Sequence, residues 1–317
     1  MRDTIVVLLL LYAAVVAAAG SRWLPRASWP LRAPRAAIAA WQAATLSMIA
    51  SVVAAGAILA VPCLRISTDP AILRACLSLM RAQYATPQGT LAAGTGSVLV
   101  VAVLGRITWC TGMAMVRARR RRARHDDVLA MVGRPGPAGV WLIGDEHPAI
   151  YCLPGRRRIV MTTGALRCLD ARQLEAVLAH ERAHLSGRHH LVLTFASALQ
   201  EAFPAVGFFA VAARHIGELI EVAADDAAIR REHRLTLAGA LLAVATAGVP
   251  AGALGAGGTA AAQRVRRLID PPGTPSPARR ALTSATLGAV SIVALAAPAL
   301  ALITITHCPP GPYVPGW

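Results

Sequence analysis

Three long apolar stretches occupy the first third of the chain and a fourth lies near its end. Thr4 to Gly20, Ala36 to Val61, Leu91 to Val116 and Leu282 to Thr306 are built from Leu, Val, Ile and Ala, and Arg106 is the one charged residue inside them. A helix of roughly 20 such residues crosses a bilayer, so each stretch is expected to be a membrane span. A cleaved signal peptide is the rival reading of the first. The further spans that follow it, and the lone early Arg2 balanced by Asp3, favour a retained helix. Between the first two spans, Ser21 to Arg35 carries Arg22, Arg26, Arg32 and Arg35 with Trp23 and Trp29, which suits the headgroup level. Pro62 to Thr90 reads as a short polar segment between the second and third.

From Val128 to about Leu268 the pattern becomes that of a globular domain. Val140 to Ile143, Ala149 to Leu153 and Arg158 to Thr163 are short β-rich runs, with Pro154-Gly155 as the turn of a hairpin between the last two. An exposed edge strand there is suited to pairing with an extended peptide. Leu174, Val177, Leu178 and Leu185 then recur at helical spacing, and Asp170 with Gln173 predicts a capped helix start. Leu191 to Ala213 is nearly apolar but interrupted by Gln200, Glu201 and Pro204. It predicts a pair of helices bent at Pro204, packed in the domain core or dipping into the bilayer. Gly248 to Gly258 and Pro271 to Pro277 read as linkers.

Composition agrees with a membrane protein: 56% of the 317 residues are hydrophobic and 15% charged. All 32 basic side chains are arginine, and the net charge is +16. Its distribution decides the partner. Asp126 to Asp270 holds 15 Arg against 14 acids, whereas the flanking segments hold the other 17 Arg against Asp3 and Asp69 alone. Excess charge beside spans follows the positive-inside rule; a nucleic-acid footprint would need a basic face on the folded domain, so no direct nucleic-acid binding is expected. The run Arg117 to Arg124 after the third span, and Arg279-Arg280 before the fourth, put the domain in the cytoplasm of a multi-pass plasma-membrane protein with both termini outside. Arg106 is expected to snorkel or to sit on a tilted helix.

Candidate chemistry centres on His180-Glu181-Arg182-Ala183-His184, a match to HExxH. Residues four apart on a helix share a face, so His180 and His184 can direct both imidazoles at one cation, with Glu181 alongside as a proton acceptor. Two surface histidines on an amphipathic helix are the bland alternative. A third ligand is expected on Glu218-Leu219-Ile220-Glu221-Val222-Ala223-Ala224-Asp225, where spacing alone leaves Glu218 and Glu221 open. His189, His190, His215 and Arg230 are candidate donors to an oxyanion, undistinguished by spacing.

HExxH followed by ExxAD, here Glu221 to Asp225, resembles the integral-membrane gluzincin proteases. The strand-like IVMTTGAL (Ile159 to Leu166), the approach LEAVLAH and the RVRRLI run at Arg264 to Ile269 are part of the resemblance. Within that group the order of spans is most similar to the BlaR/MecR-type metallopeptidases. The resemblance implies Zn2+ held by His180, His184 and Glu221, Glu181 as catalytic base, and Asp225 as a supporting carboxylate behind the ligands. It implies an α-rich multi-pass fold: three transmembrane helices (about 4–20, 36–61 and 91–116) in residues 1–116, a cytoplasmic α+β zincin-like domain in 117–275, and a fourth transmembrane helix (about 282–306) with a short outer tail in 276–317. The penicillin-binding sensor of the antibiotic-sensing members does not fit in that tail. The implied partners are the bilayer and a protein substrate such as a BlaI/MecI-type repressor, and a homo-oligomer is compatible with the pattern. An HtpX-type quality-control protease, or a non-catalytic receptor or scaffold with a degenerate protease domain, are the alternatives. The six cysteines form no CxxC; Cys152 and Cys168 fall in the cytoplasm, while Cys63, Cys76 and Cys308 fall outside, where a disulfide is allowed.

Overall fold

The computed structural model describes residues 2–27, 29–61, 70–230, 233–247, 257–271 and 273. The expected fourth span, the tail, and Cys63 and Cys308 of the candidate disulfide lie outside the described residues. Three helices are long and apolar enough to cross a membrane: α1 (Arg2–Trp23), α2 (Pro34–Ala60) and α4 (Pro87–Val132). On α1, Val6, Leu9 and Ala13 are buried while Val7, Leu8 and Leu11 are exposed, so one face packs inward and the other is left for lipid. Val6 and Leu9 meet Ala54, Ala55 and Ile58 of α2. Helices α2 and α4 approach through Gly56 and Gly96. A Cβ on Gly96 would lie 2.6 Å from the Ala60 amide nitrogen and nearer still to the Gly56 carbonyl oxygen. Such close backbone contact is how small residues pair helices in lipid, where apolar burial gives no advantage.

The segment expected to be merely polar between the second and third spans contains helix α3 (Pro70–Tyr84). Its end closes α2: the Tyr84 hydroxyl donates to the Ala60 carbonyl at 3.0 Å, the Gln83 amide to Leu59 at 3.2 Å, and Arg2 of α1 to Ile58 at 2.9 Å. These donors satisfy carbonyls that the last turn of any helix leaves unpaired. Helix α4 carries the third apolar stretch and continues through the arginine run, 46 residues in all or about 69 Å, and hands the chain directly to the sheet.

The sheet has four strands: β1 (Gly133–Pro135), β2 (Trp141–Ile143), β3 (Ile150–Leu153) and β4 (Arg158–Thr162), in the order β1-β2-β4-β3. Strands β3 and β4 form the expected antiparallel hairpin, with Arg157 of its turn at φ 51°; β2 runs parallel to β4. Strand β1, of sequence Gly-Arg-Pro, carries no strand-forming pattern and was not expected. Two helices follow, α5 (Thr163–Cys168) and α6 (Ala171–Ser186). The Asp170 carboxylate accepts from the Gln173 amide at 2.8 Å and the Gln173 side chain from Asp170 at 3.1 Å, which is the capping box the sequence predicts. Leu178 and Leu185 of α6 bury against Ile159 and Met161 of the sheet and Val140 just before β2.

The apolar stretch after α6 forms α7 (His189–Ala202) and α8 (Gly207–Ala228), turning around Pro204. Both pack into the bundle of long helices: Leu199, Phe208, Phe209 and Ile216 share one core with Trp41 and Met48 of α2. The Arg106 guanidinium donates to the Ala202 carbonyl at the end of α7, and Arg117 pairs with Glu201. A carbonyl with no partner in its own helix thus meets a charge held within a span, and each satisfies the other. Helices α9 (Arg234–Ala247) and α10 (Gly257–Ile269) pack Leu237, Ala238 and Leu268 on Ala176 and Ala179 of α6.

Gly96→Val should force α2 and α4 apart and lower the thermal midpoint in detergent by several degrees, as overpacking costs about 1–3 kcal/mol. Gly105→Ala, on the same helix with nothing within 4 Å of its Cβ position, should leave the midpoint unchanged or slightly raised. Equal effects of the two would contradict the close contact.

Candidate metal centre

Helices α6 and α8 carry the site. His180 and His184, one turn apart on α6, face Glu221 of α8, and the three offer ligand atoms within 4.8 Å of one another. The His180 and His184 Nε2 atoms are 3.0 Å apart, and each lies close to one Glu221 oxygen, at 3.6 Å and 3.4 Å. A tetrahedral zinc with bonds of about 2.0–2.1 Å spaces its ligands about 3.3–3.4 Å apart, so the donor set fits that ion in both kind and spacing. Glu218, the other candidate that spacing allowed, turns away: its carboxylate takes His215 Nδ1 at 2.9 Å and is largely exposed.

Behind the ligands the charges are layered. Asp225, 1% exposed, sets Oδ1 2.9 Å from His180 Nδ1 and so holds the ring with Nε2 toward Glu221. Arg264 of α10 bonds both Asp225 oxygens, at 2.8 Å and 2.6 Å, and reaches Glu221 at 3.0 Å. Burial would raise both carboxyls, but the Arg264 and His180 charges beside them keep both below their ordinary range and ionised. Burial alone would lower His180, yet Asp225 and Glu221 outweigh it and carry its pKa up to about 9. His184 is pushed down to about 4 by burial and by the charge of His180. Without a metal, His180 thus carries a proton and His184 stays neutral beside two ionised carboxylates.

Glu181 stands beside the pair, its carboxyl pushed up by burial, with the thiol and backbone amide of Cys152 as hydrogen-bonding neighbours. Burial, with the Glu181 charge adding to it, pushes the Cys152 thiol up to about 12, so it stays protonated and can donate. Cys152 belongs to β3, an outer strand of the sheet, and the edge strand and Glu181 therefore share one wall. That wall borders a cavity of about 570 Å³ lined by Cys152, Leu153, His184, His189 and His190, with Arg121 and Arg122 on the far side from α4.

Of the four candidate oxyanion donors, His189 and His190 line this cleft. His215 stacks on Trp41 with ring centres 5.9 Å apart, and Arg230 lines a different cavity. His189 Nδ1 lies 3.1 Å from His184 Nδ1, where it orients a ligand. Sequence reasoning assigned no role to Cys152 and noted Arg264 only within the RVRRLI run. Neither has a local signal, because each gains its role from a neighbour far along the chain.

Comparison with known proteins follows the same stretch. Residues 116–250 match the profile of Peptidase family M48. The chain is 36% identical over 88 residues to a Protease HtpX homolog of Aquifex aeolicus (strain VF5), covering 27% of this chain and 28% of that protein. It is 33% identical over 88 residues to a Protease HtpX homolog of Ralstonia pickettii (strain 12J), covering 27% and 30%. The chain thus spans less than a third of the length of these curated relatives. No solved structure matches significantly.

Arg264→Met should leave the Asp225 charge buried with only His180 to face it, lowering the stability of the metal-free protein by about 3 kcal/mol. Arg264→Lys should recover part of the loss, since an ammonium cannot bridge two oxygens as a guanidinium does. Thermal unfolding in detergent checks both; an unchanged midpoint for Arg264→Met would contradict the role.

Proposed function

We propose that the protein is a membrane-embedded zinc-dependent endopeptidase whose substrate is a protein. The observation that carries this reading is the convergence of His180, His184 and Glu221, with Glu181 between them and an edge strand. The M48 match over residues 116–250, which include these four, and the similarity to HtpX homologs support it. Zinc, when bound, supplies a Lewis acid that acidifies water and polarises a carbonyl. His180, His184 and Glu221 would hold it, Asp225 and Arg264 orient His180 and Glu221, and His189 orients His184. The raised basicity of Glu181 suits it to take a proton from the attacking water and return it to the departing amine. Strand β3 offers main-chain groups to an extended peptide, which would place a scissile carbonyl beside Glu181.

In this reading the three long helices anchor the chain in the plasma membrane, with the site on the cytoplasmic side and the amino terminus outside. Two substrate classes remain within it. Similarity to HtpX homologs favours quality control of damaged membrane proteins. Cleavage of a regulatory repressor, as in BlaR/MecR-type proteins, is favoured by the absence, among the described residues, of a span-length apolar helix between the two halves of the site.

Glu181→Gln should keep bound zinc while lowering cleavage of an unstructured protein by about 10²–10⁴-fold. Undiminished cleavage would remove the base, and an unchanged cellular output would favour a receptor or scaffold. In cells, accumulation of damaged membrane proteins or of an intact DNA-binding repressor separates the two substrate classes.

A further inference from the structure

A second cavity, of about 900 Å³, opens beside the site; it shares His189 with the first cleft but is not lined by His180, Glu181, His184 or Glu221. Four arginines from distant parts of the chain line it: Arg35 at the start of α2, Arg157 in the β3–β4 turn, Arg182 on α6 and Arg230 just past α8. Among the described residues, none that lines it is acidic. Arg182 reaches Glu175 at 3.4 Å, but among the described residues Arg35, Arg157 and Arg230 have neither a hydrogen bond nor an ion pair. Arg157 also holds a left-handed backbone, φ 51°, which glycine would adopt at less cost. All four arginines are exposed at the cavity, and their guanidinium groups match the oxygens of phosphate.

The position selects the source of that anion. Arg35 opens one of the membrane-length helices and follows the Trp29 to Arg32 loop, so this rim stands where α2 enters the bilayer. Ile38 of α2 and Val192 of α7 continue the wall as an apolar surface, both against the core of the bundle, while alanines of α6 and α8 leave the floor open. A cationic chamber at the end of a membrane-length helix, with apolar side chains on one wall, matches a phosphate headgroup attached to acyl chains more than a soluble anion or a peptide. We propose that this cavity binds the headgroup of an anionic phospholipid. The inference rests on the membrane placement of α2 in the reading above and is independent of hydrolysis.

The test is native mass spectrometry of the full chain in detergent, offered equal amounts of dioleoyl phosphatidylglycerol and dioleoyl phosphatidylcholine. The protein should retain phosphatidylglycerol in preference by roughly tenfold or more, the order two arginines near a lipid surface confer. Arg157→Gln with Arg230→Gln should lose the preference yet keep the thermal midpoint of the native chain in detergent, which verifies its folding. Arg119→Gln with Arg120→Gln, exposed positions on α4 outside the cavity, should keep the preference. No preference in the native chain, or an equal loss in both double variants, would overturn the assignment. Displacement of the lipid by inorganic phosphate at similar concentration would also overturn it, by making the site one for a soluble anion.

Discussion

Two helices from different parts of the fold meet through buried charge: His180 of α6 faces Asp225 of α8 at 2.9 Å, and Arg264 of α10 clamps that aspartate from the other side. Each of these ions alone would be expensive to bury, and together they leave few lone pairs or protons unsatisfied. The geometry of the candidate centre follows from this contact. With Asp225 anchored, Glu221 one turn earlier on α8 comes to the two imidazoles, and with His180 held from behind its free nitrogen points the same way.

The same helix ties the site to the membrane part of the molecule. Phe208, Ile216 and Leu219 of α8 share a core with Trp41 of α2, while its other end carries Glu221 and Asp225. Arg106 and Arg117 of α4 grip the end of α7, and α4 itself runs from the span to the sheet without a break. A shift among the long helices would therefore act on the ligand helix directly, with no linker in between.

Much of this was legible beforehand where the signal is local. The capping box at Asp170, the hairpin around Pro154-Gly155, the bend near Pro204 and the His180–His184 pair each depend on residues a few positions apart. What escaped depends on distance. Spacing left Glu218 and Glu221 equal, and only packing against α6 separates them; the family resemblance, a different kind of knowledge, had favoured Glu221. Strand β1 exists because β2 lies beside it, and α4 continues through its arginines because that helix is also a wall of the cleft. Arg264 and Cys152 take their roles from partners 39 and 29 residues away along the chain.

The most direct test is the zinc content of the protein purified in detergent, beside His180→Ala, Glu221→Ala and Glu218→Ala prepared identically. The geometry predicts about one zinc per chain in the native protein and in Glu218→Ala, with loss or strong weakening in the other two. Retention in Glu221→Ala, loss in Glu218→Ala, or no zinc in a folded native protein after zinc addition would contradict it.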